Sequence, residues 1–351
     1  MSKIPIKNVW WLMLYASELR VHGSAGRFET EDNPDDMPRL VAEILIRAVR
    51  YRLLRNLSVE LQTRHADLTR VRGRIDHIRT GRHSLLEQGK IACMFEHFTV
   101  NTPKNQYVKA ALDSLSRIIE KGEIKRSCHI YSRALERAGV ARYASMSMIG
   151  TKMPNTISNP EDRQMLAAAE LALNMRIPTE EAGDSYLLVT DRNEKWLRRL
   201  FERAIWGFYD TVLSPQQWSV RHGERIYWQQ ESPTDRIKDI LPDMQTDIVL
   251  ERISTKTRMI IDTKFTNMMD TNQYGKLRLK SNHIFQLYSY LRSQENNELS
   301  YAASGMLLYP SVGANIDESV TIQGHRIRFA TVDLAVDSVN IRERLLGLVP
   351  N

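Results

Sequence analysis

Apolar positions recur along this chain on two periods, near four in some stretches and two in others, and the switches between them mark out its elements. The opening run "KIPIKNVWWLMLYAS" sets Lys3 and Lys7 ahead of an apolar stretch from Val9 to Ala16. That stretch is short, rich in Trp and without a small-x-small cleavage site, so it predicts a buried N-terminal helix rather than a secretory leader. A polar, acidic connector, "GRFETEDNPDDMP", ends in a helix-start signal, Asp35 or Asp36 before Pro38. In "RLVAEILIRAVRYRLLRNL" the apolar positions Val41, Leu45 and Ala48, with Ile44, Val49 and Leu53, predict an amphipathic helix faced with Arg. From Val59 to His97 the pattern shortens to strand-like pieces, "LSVELQTR" and "GKIACMFEHFTV", around "RVRGRIDHIRTGRH". A helix opened by Thr102 and Pro103 and stopped at Gly122 follows, then helical stretches around 127–138 and 160–175.

A second organisation begins near residue 185. "RNEKWLRRLFERAIWGFYD" is strongly amphipathic, with Trp196, Leu200, Ala204 and Phe208 at four-residue spacing. Strand-like runs "RIYWQQ", "TDIVLER" and "RMIIDTKF" come next, then a polar loop rich in Lys and Arg, the helix "HIFQLYSYLRSQ" and a further strand "GMLLYP". This order of helix, strands, helix and strand describes an α/β layer, so the expected fold is α+β. The chain divides into an N-terminal mixed helix and strand domain, 1–165, and a C-terminal domain, 166–351. No stretch approaches the ~20 apolar residues of a membrane span.

Charge sharpens the picture. Lys plus Arg exceed Asp plus Glu by 49 − 42 = 7, which suits a polyanionic partner. Between Arg39 and His83 stand eleven Arg, no Lys and four acids, so this span alone carries +7. It is either a solvated face or a surface for docking protein or nucleic acid. The only cysteines, Cys93 and Cys128, lack the neighbours a metal site needs, and a reducing cytoplasm fits them. No phosphate-binding G-x-x-x-x-G-K-[ST] loop, hydrolase elbow, zinc motif or dinucleotide fingerprint occurs.

The chemistry concentrates in "MIIDTKF", where a strand predicted to be buried carries an acid and a base on one face, because side chains alternate with period two. Burying an unpaired charge costs several kcal/mol, so Asp262 and Lys264 need a partner, a metal or a task. Asp247 stands fifteen residues upstream, at the mouth of the preceding strand, and a hairpin of this length brings it opposite Asp262. Asp243 competes with it, but directly follows Pro242 and suits a turn. A similar triplet, Glu123-Ile124-Lys125, has no apolar strand around it. Two carboxylates and an ammonium on one sheet edge are what metal-assisted phosphodiester hydrolysis requires: oxygen ligands for Mg²⁺ and a cation beside the attacking water. Glu202 could offer a further carboxylate. In "HIFQLYSYL" a core stripe of Ile284, Leu287, Tyr288 and Leu291 leaves Gln286 and Tyr290 one turn apart on another face. Lys276, Arg278 and Lys280, in the polar loop, are placed to meet DNA phosphates, although solvated loops look the same.

The Asp247, Asp262, Lys264 set resembles the PD-(D/E)xK nuclease superfamily, and Gln286 with Tyr290 resembles the Q-x-x-x-Y feature that follows the lysine strand in many of its members. That resemblance implies a restriction-endonuclease-like C-terminal domain in which Asp247, Asp262 and the carbonyl of Thr263 hold Mg²⁺. The whole chain further resembles the McrC family, nuclease subunits of modified-cytosine restriction systems. The stretches "IPIKNVWWLMLYA", "RGRIDHIRT", "LPDMQTDIVL…MIIDTKF", "FQLYSYL" and "GMLLYP" carry that likeness over most of 1–310. It implies cleavage of double-stranded DNA bearing modified cytosine. It also implies a hexameric AAA+ GTPase partner of the McrB type that binds the GTP this chain does not. In that family the N-terminal half docks on the GTPase and stimulates it, which makes Arg72 and Arg74 the first candidates for docking. A rival reading keeps the nuclease fold only as a non-catalytic adaptor that binds DNA and activates the GTPase. A second is a nuclease that needs no partner.

Overall fold

The structure is a computed structural model that describes residues 3–17, 19, 37–143, 160–175, 186–188, 191–271, 274–295, 303–313 and 315–350. The acidic connector and its helix-start signal at Asp35 and Asp36 lie outside the described residues. Two compact units emerge, Met1–Met37 with Met175–Asn351, and Pro38–Asn174. The units are therefore not the two consecutive segments, 1–165 and 166–351, expected from the sequence. The reason is the first helix, α1 (Ile6–Ala16), nine of whose eleven residues are buried. Such a helix has no solvent face and must be covered nearly all round. It lies along α2 (Asp191–Leu213), where Trp11 and Tyr15 pack at 4.6 Å and both reach Phe208, at 5.8 and 5.3 Å. The buried Asn8 amide donates to the carbonyls of Leu334 and Val336 at 2.8 and 2.7 Å.

The larger unit is built on a six-stranded sheet of β1 (Ser219–His222), β2 (Ile248–Arg252), β3 (Thr257–Thr263), β4 (Ser304–Ser311), β5 (Asp317–Ile322) and β6 (His325–Asp333), in the order β5-β6-β4-β3-β2-β1. β3, β4 and β6 run parallel at the centre, and antiparallel strands flank them. Parallel neighbours need a covered crossover. α3 (Ser281–Arg292) supplies it between β3 and β4, and its Leu287 and Leu291 sink into a core with Val249, Ile260, Leu307 and Phe329. Gly305 on β4 allows that approach, since a Cβ there would stand 2.9 Å from Leu287 Cδ2 and 3.0 Å from Leu291 Cδ1. The C-terminal helix α4 (Ser338–Leu346), capped by Asp337 on the Asn340 amide, completes the unit.

Three sequence expectations change here. Only Arg225–Ile226 of "RIYWQQ" is a strand, and it pairs with Met244–Gln245, while Tyr227 and Trp228 are exposed. The Lys- and Arg-rich segment before α3 is a two-stranded ribbon, Met269–Thr271 with Leu277–Leu279, and not a loop. Tyr290 is buried in the core beside Leu287 and Leu291, while Tyr288 is only half-buried. No helix of the described residues is long and apolar enough to cross a membrane.

The second unit carries the Arg-faced helix Met37–Arg55 and the helices Pro103–Ile118, Glu123–Arg137 and Pro160–Asn174. The triplet Glu123-Ile124-Lys125 opens the third of these and has no strand around it. Glu60–Leu68 pairs along its whole length with Ile91–Thr99, and the short strand Arg74–Ile75 pairs on the other side. The stretch "RGRIDHIRT" connects the outer strands of this sheet. Asp76 caps a helical turn by accepting the Arg79 amide at 2.9 Å, and the Thr80 hydroxyl donates to the Asp76 carbonyl while accepting the Ala92 amide at 3.1 Å. Gly73 has φ +68°, and a Cβ there would meet the Met94 carbonyl at 2.5 Å and Phe95 Cα at 2.9 Å. A side chain is thus excluded both by backbone conformation and by backbone atoms that cannot give way. Gly73→Ala is expected to destabilise this unit by about 1–3 kcal/mol, measured as an earlier denaturation transition; an unchanged transition would show that the turn relaxes freely.

Candidate active site

β2 and β3 pair with Ile248 opposite Ile261, so the next residues outward, Asp247 and Asp262, face one another at the sheet edge. Asp247 stands one residue ahead of β2 rather than inside it. Its Oδ2 accepts the Thr263 amide at 2.7 Å and the Thr263 hydroxyl at 2.8 Å, and the Gly223 amide donates to its carbonyl at 3.0 Å. Asp243 takes no part: it is exposed just ahead of the short strand Met244–Gln245, 4.0 Å from Arg225.

β3 buries Asp262 because the strand lies between two others and is covered from Arg258 to Thr263. The carboxylate has no exposed surface. Lys264 Nζ lies 2.8 Å from its Oδ2 as an ion pair, yet neither oxygen receives a directed hydrogen bond. Lys264 Nζ donates instead to Gln286 Oε1 at 2.9 Å, and the Gln286 amide donates to the Tyr290 hydroxyl at 2.6 Å. The helix one turn above thus aims the lysine. Tyr290 is buried and its hydroxyl reaches out to Gln286, which is why two residues expected on one outward face serve as core anchor and exposed relay.

Burial and then the charge of Asp247 push the Asp262 carboxyl up to about 7, against the opposing pull of Lys264. Asp247 is raised as well, first by burial and then by the charge of Glu202 on α2. Glu202 Oε1 is 3.0 Å from His222 Nε2 at the end of β1, and the His222 ring lies 5.0 Å from that of Trp206. Its charge bears on both aspartates, so this third carboxylate belongs to the site's electrostatics.

Asp247 and Asp262 are the groups that could hold a divalent cation. Two adjacent carboxylates whose ionised forms are disfavoured by burial and mutual repulsion, one of them with an unpartnered buried oxygen, match the needs of a hard cation. Among the described residues no group of three or more His, Cys, Asp and Glu is placed to hold a metal. That donor set suits Mg²⁺, which uses one or two carboxylates and keeps waters and substrate phosphates for the rest. Thr263 turns its amide and hydroxyl to Asp247, so its role includes fixing that carboxylate.

The remaining expected residues divide. Lys280 turns inward, donating to the Thr266 hydroxyl at 3.2 Å and lying 3.5 Å from Asp270, while Lys276 and Arg278 are exposed on or beside the ribbon. Arg72 and Arg74 are exposed in the other unit, Arg72 with its guanidinium 4.2 Å above the Phe95 ring. His283 and Tyr309 escaped the sequence reading. Their side chains share a 3.0 Å hydrogen bond between α3 and β4, and only the HxxQxxxY spacing of His283, Gln286 and Tyr290 on α3 could have marked the histidine.

The type IV methyl-directed restriction enzyme EcoKMcrBC of Escherichia coli (strain K12) is 22% identical over 349 residues, which are 98% of this chain and 97% of that protein. A refined half-complex from a tetradecameric assembly of Thermococcus gammatolerans McrB AAA+ hexamers with bound McrC aligns over 89% of this chain and 68% of that one, with 13% identity and a TM-score of 0.39. For the cryo-EM structure of the Thermococcus gammatolerans McrBC complex the values are 62%, 60%, 15% and 0.36. The family described as McrBC 5-methylcytosine restriction system component matches residues 11–310, and the chain belongs to that family.

Proposed function

We propose that this chain is the Mg²⁺-dependent DNA endonuclease subunit of a GTP-dependent, modified-cytosine-specific restriction complex, with a restriction-endonuclease-like C-terminal domain. The observation that carries the reading is the facing pair Asp247 and Asp262, one of them wholly buried with an ammonium 2.8 Å away. Mg²⁺ held by Asp247, Asp262 and the Thr263 carbonyl would supply a Lewis acid for the scissile phosphate. The chain's own groups do the rest. Thr263 fixes the Asp247 oxygen through two hydrogen bonds, which removes its rotational freedom. Lys264 stands beside the attacked phosphate, where it orients the water and offsets developing negative charge. Gln286 and Tyr290 hold the ammonium in place.

Recognition of the modified base and GTP hydrolysis fall to a hexameric AAA+ partner of the McrB type, acting in the cytoplasm. The second unit docks it. Support comes from the family match, from the absence of a phosphate-binding loop in this sequence, and from the surface around Arg72 and Arg74. Elsewhere on the same sheet the cross-strand pair Leu61 and Phe98 is 52% and 73% exposed, an apolar pair of the kind protein interfaces use.

Asp262→Asn and Lys264→Ala are each expected to lower cleavage of cytosine-methylated plasmid, with Mg²⁺, partner and GTP, at least about a hundredfold while leaving GTPase stimulation intact. Cutting at the wild-type rate by either variant would sink the site. Arg72→Glu with Arg74→Glu is expected to do the reverse in part, weakening GTPase stimulation; stimulation as strong as wild type moves docking elsewhere. The raised Asp262 also sets a pH dependence. Between an unfolded value near ~4 and about 7, the folded chain keeps a proton that the unfolded chain has released, so metal-free stability falls as pH rises through this window. At pH 8 without metal, Asp262→Asn is expected to melt a few degrees above wild type, and Mg²⁺ to narrow the gap. A lower melting temperature would mean that the carboxylate is stabilised by partners other than a cation.

A further inference from the structure

A cleft next to the carboxylates has no role so far. Its volume is about 470 Å³, inside the range of roughly 300–1,000 Å³ common to sites for small molecules. One wall is the chain that leaves β1, with Glu224, Tyr227, Trp228 and Gln229, and the facing wall is Ser293 and Gln294 at the end of α3. Contacts fix both walls. The Gln229 side-chain amide donates to the Ser293 carbonyl at 3.0 Å, and the Trp228 indole N–H donates to the Pro242 carbonyl at 2.9 Å. The Thr246 amide donates to the Glu224 carbonyl at 3.0 Å, and the Gly223 amide to the carbonyl of Asp247, also at 3.0 Å. Ser293 follows Gln286 by seven residues, ~10 Å along the helix axis. Both walls therefore run directly from the carboxylate site.

The chemistry of the cleft selects its occupant. Glu224 Oε2 lies 3.2 Å from Arg221 Nε and 3.7 Å from Nη2 of the buried Arg258, while Glu251 Oε1 lies 2.8 Å from Arg221 Nη2. Arg225 is 4.0 Å from Asp243, and Arg292 is 2.6 Å from Glu295. Four arginines thus meet four carboxylates, and these groups leave no surplus cation to favour a phosphate. What the walls offer instead is aromatic and uncharged. Tyr227 and Trp228 are 64% and 39% exposed beside the amides of Gln229 and Gln294 and the hydroxyl of Ser293. A flat ligand with an uncharged hydrogen-bonding edge matches both features, and a nucleobase is such a ligand.

We propose that this cleft takes one unpaired base of the DNA strand beside the cut, stacked against the Tyr227–Trp228 wall with its edge toward Gln229 and Gln294. The source of the base rests on the nuclease reading above. Extruding a base from an intact duplex is costly, so a base already unpaired enters most readily.

The test uses the full chain without metal, so that binding is read and cutting is not. Fluorescence anisotropy compares a duplex carrying one unpaired adenine with the fully paired duplex of the same flanking sequence. The expected result is binding about fivefold or more tighter with the unpaired base, the smaller end of what stacking on an aromatic side chain gives. Tyr227→Ala and Trp228→Ala are each expected to reduce that preference and to leave the slope of log affinity against log salt unchanged, since no phosphate contact is lost. Trp228→Phe, which keeps a ring, is expected to retain most of it. Equal affinity for the two duplexes overturns the proposal, as do a preference that both alanine variants keep and a chain that binds neither duplex. Deoxyadenosine monophosphate competing as well as the duplex with the unpaired base would assign the cleft to a free nucleotide and overturn its DNA role. Failure of the nuclease reading has a separate signature, full cleavage by Asp262→Asn, which leaves the preference for an unpaired base standing.

Discussion

The constraint on which the rest of this structure turns is the burial of the Asp262 carboxylate at the end of a central strand. A lone charge there would cost several kcal/mol, and the surroundings answer it without cancelling it. Lys264 lies 2.8 Å away, but its hydrogen bond goes to Gln286, and Asp247 across the strand gap adds repulsion. The site is left holding more negative charge than it satisfies. This is a common signature of groups arranged for a task rather than for stability.

Keeping that arrangement in register takes most of the larger unit. Asp247 is fixed because Thr263, the neighbour of Asp262, gives it both an amide and a hydroxyl. Lys264 is fixed because α3 passes close enough for Gln286 to reach it, and α3 passes close because β4 has glycine at 305 under Leu287 and Leu291. The glycine, the leucines and the relay through Tyr290 act as one device. A displacement of the helix by a fraction of an ångström would move the lysine, so packing at Gly305 sets the geometry of the carboxylate site.

The other unit is organised on a different principle. Its sheet of three strands leaves Glu60–Leu68 largely open to solvent, and the turn at Gly73 with the cap at Asp76 holds Arg72 and Arg74 outward at the opposite edge of the sheet. Rigid backbone carrying exposed arginine and apolar side chains suits recognition by a partner, whereas the carboxylate cluster suits chemistry.

Local pattern was enough to find the carboxylates, the lysine and the Gln286–Tyr290 spacing, because a charged residue inside an apolar run is anomalous in the sequence itself. It was enough, too, for the long amphipathic helices, whose period survives without knowledge of what covers them. Three-dimensional packing decided the rest. That the first helix belongs with the C-terminal unit depends on Trp11 and Tyr15 meeting Phe208, a contact across almost two hundred positions that no local period encodes. His283, Tyr309 and the inward turn of Lys280 are ordinary residues until β4, α3 and the ribbon bring them beside Lys264. Sequence by itself marked out which residues are anomalous, since charge in an apolar strand is a local property; tertiary structure alone decided which groups surround them, since electrostatic and packing neighbours are set by distance in space.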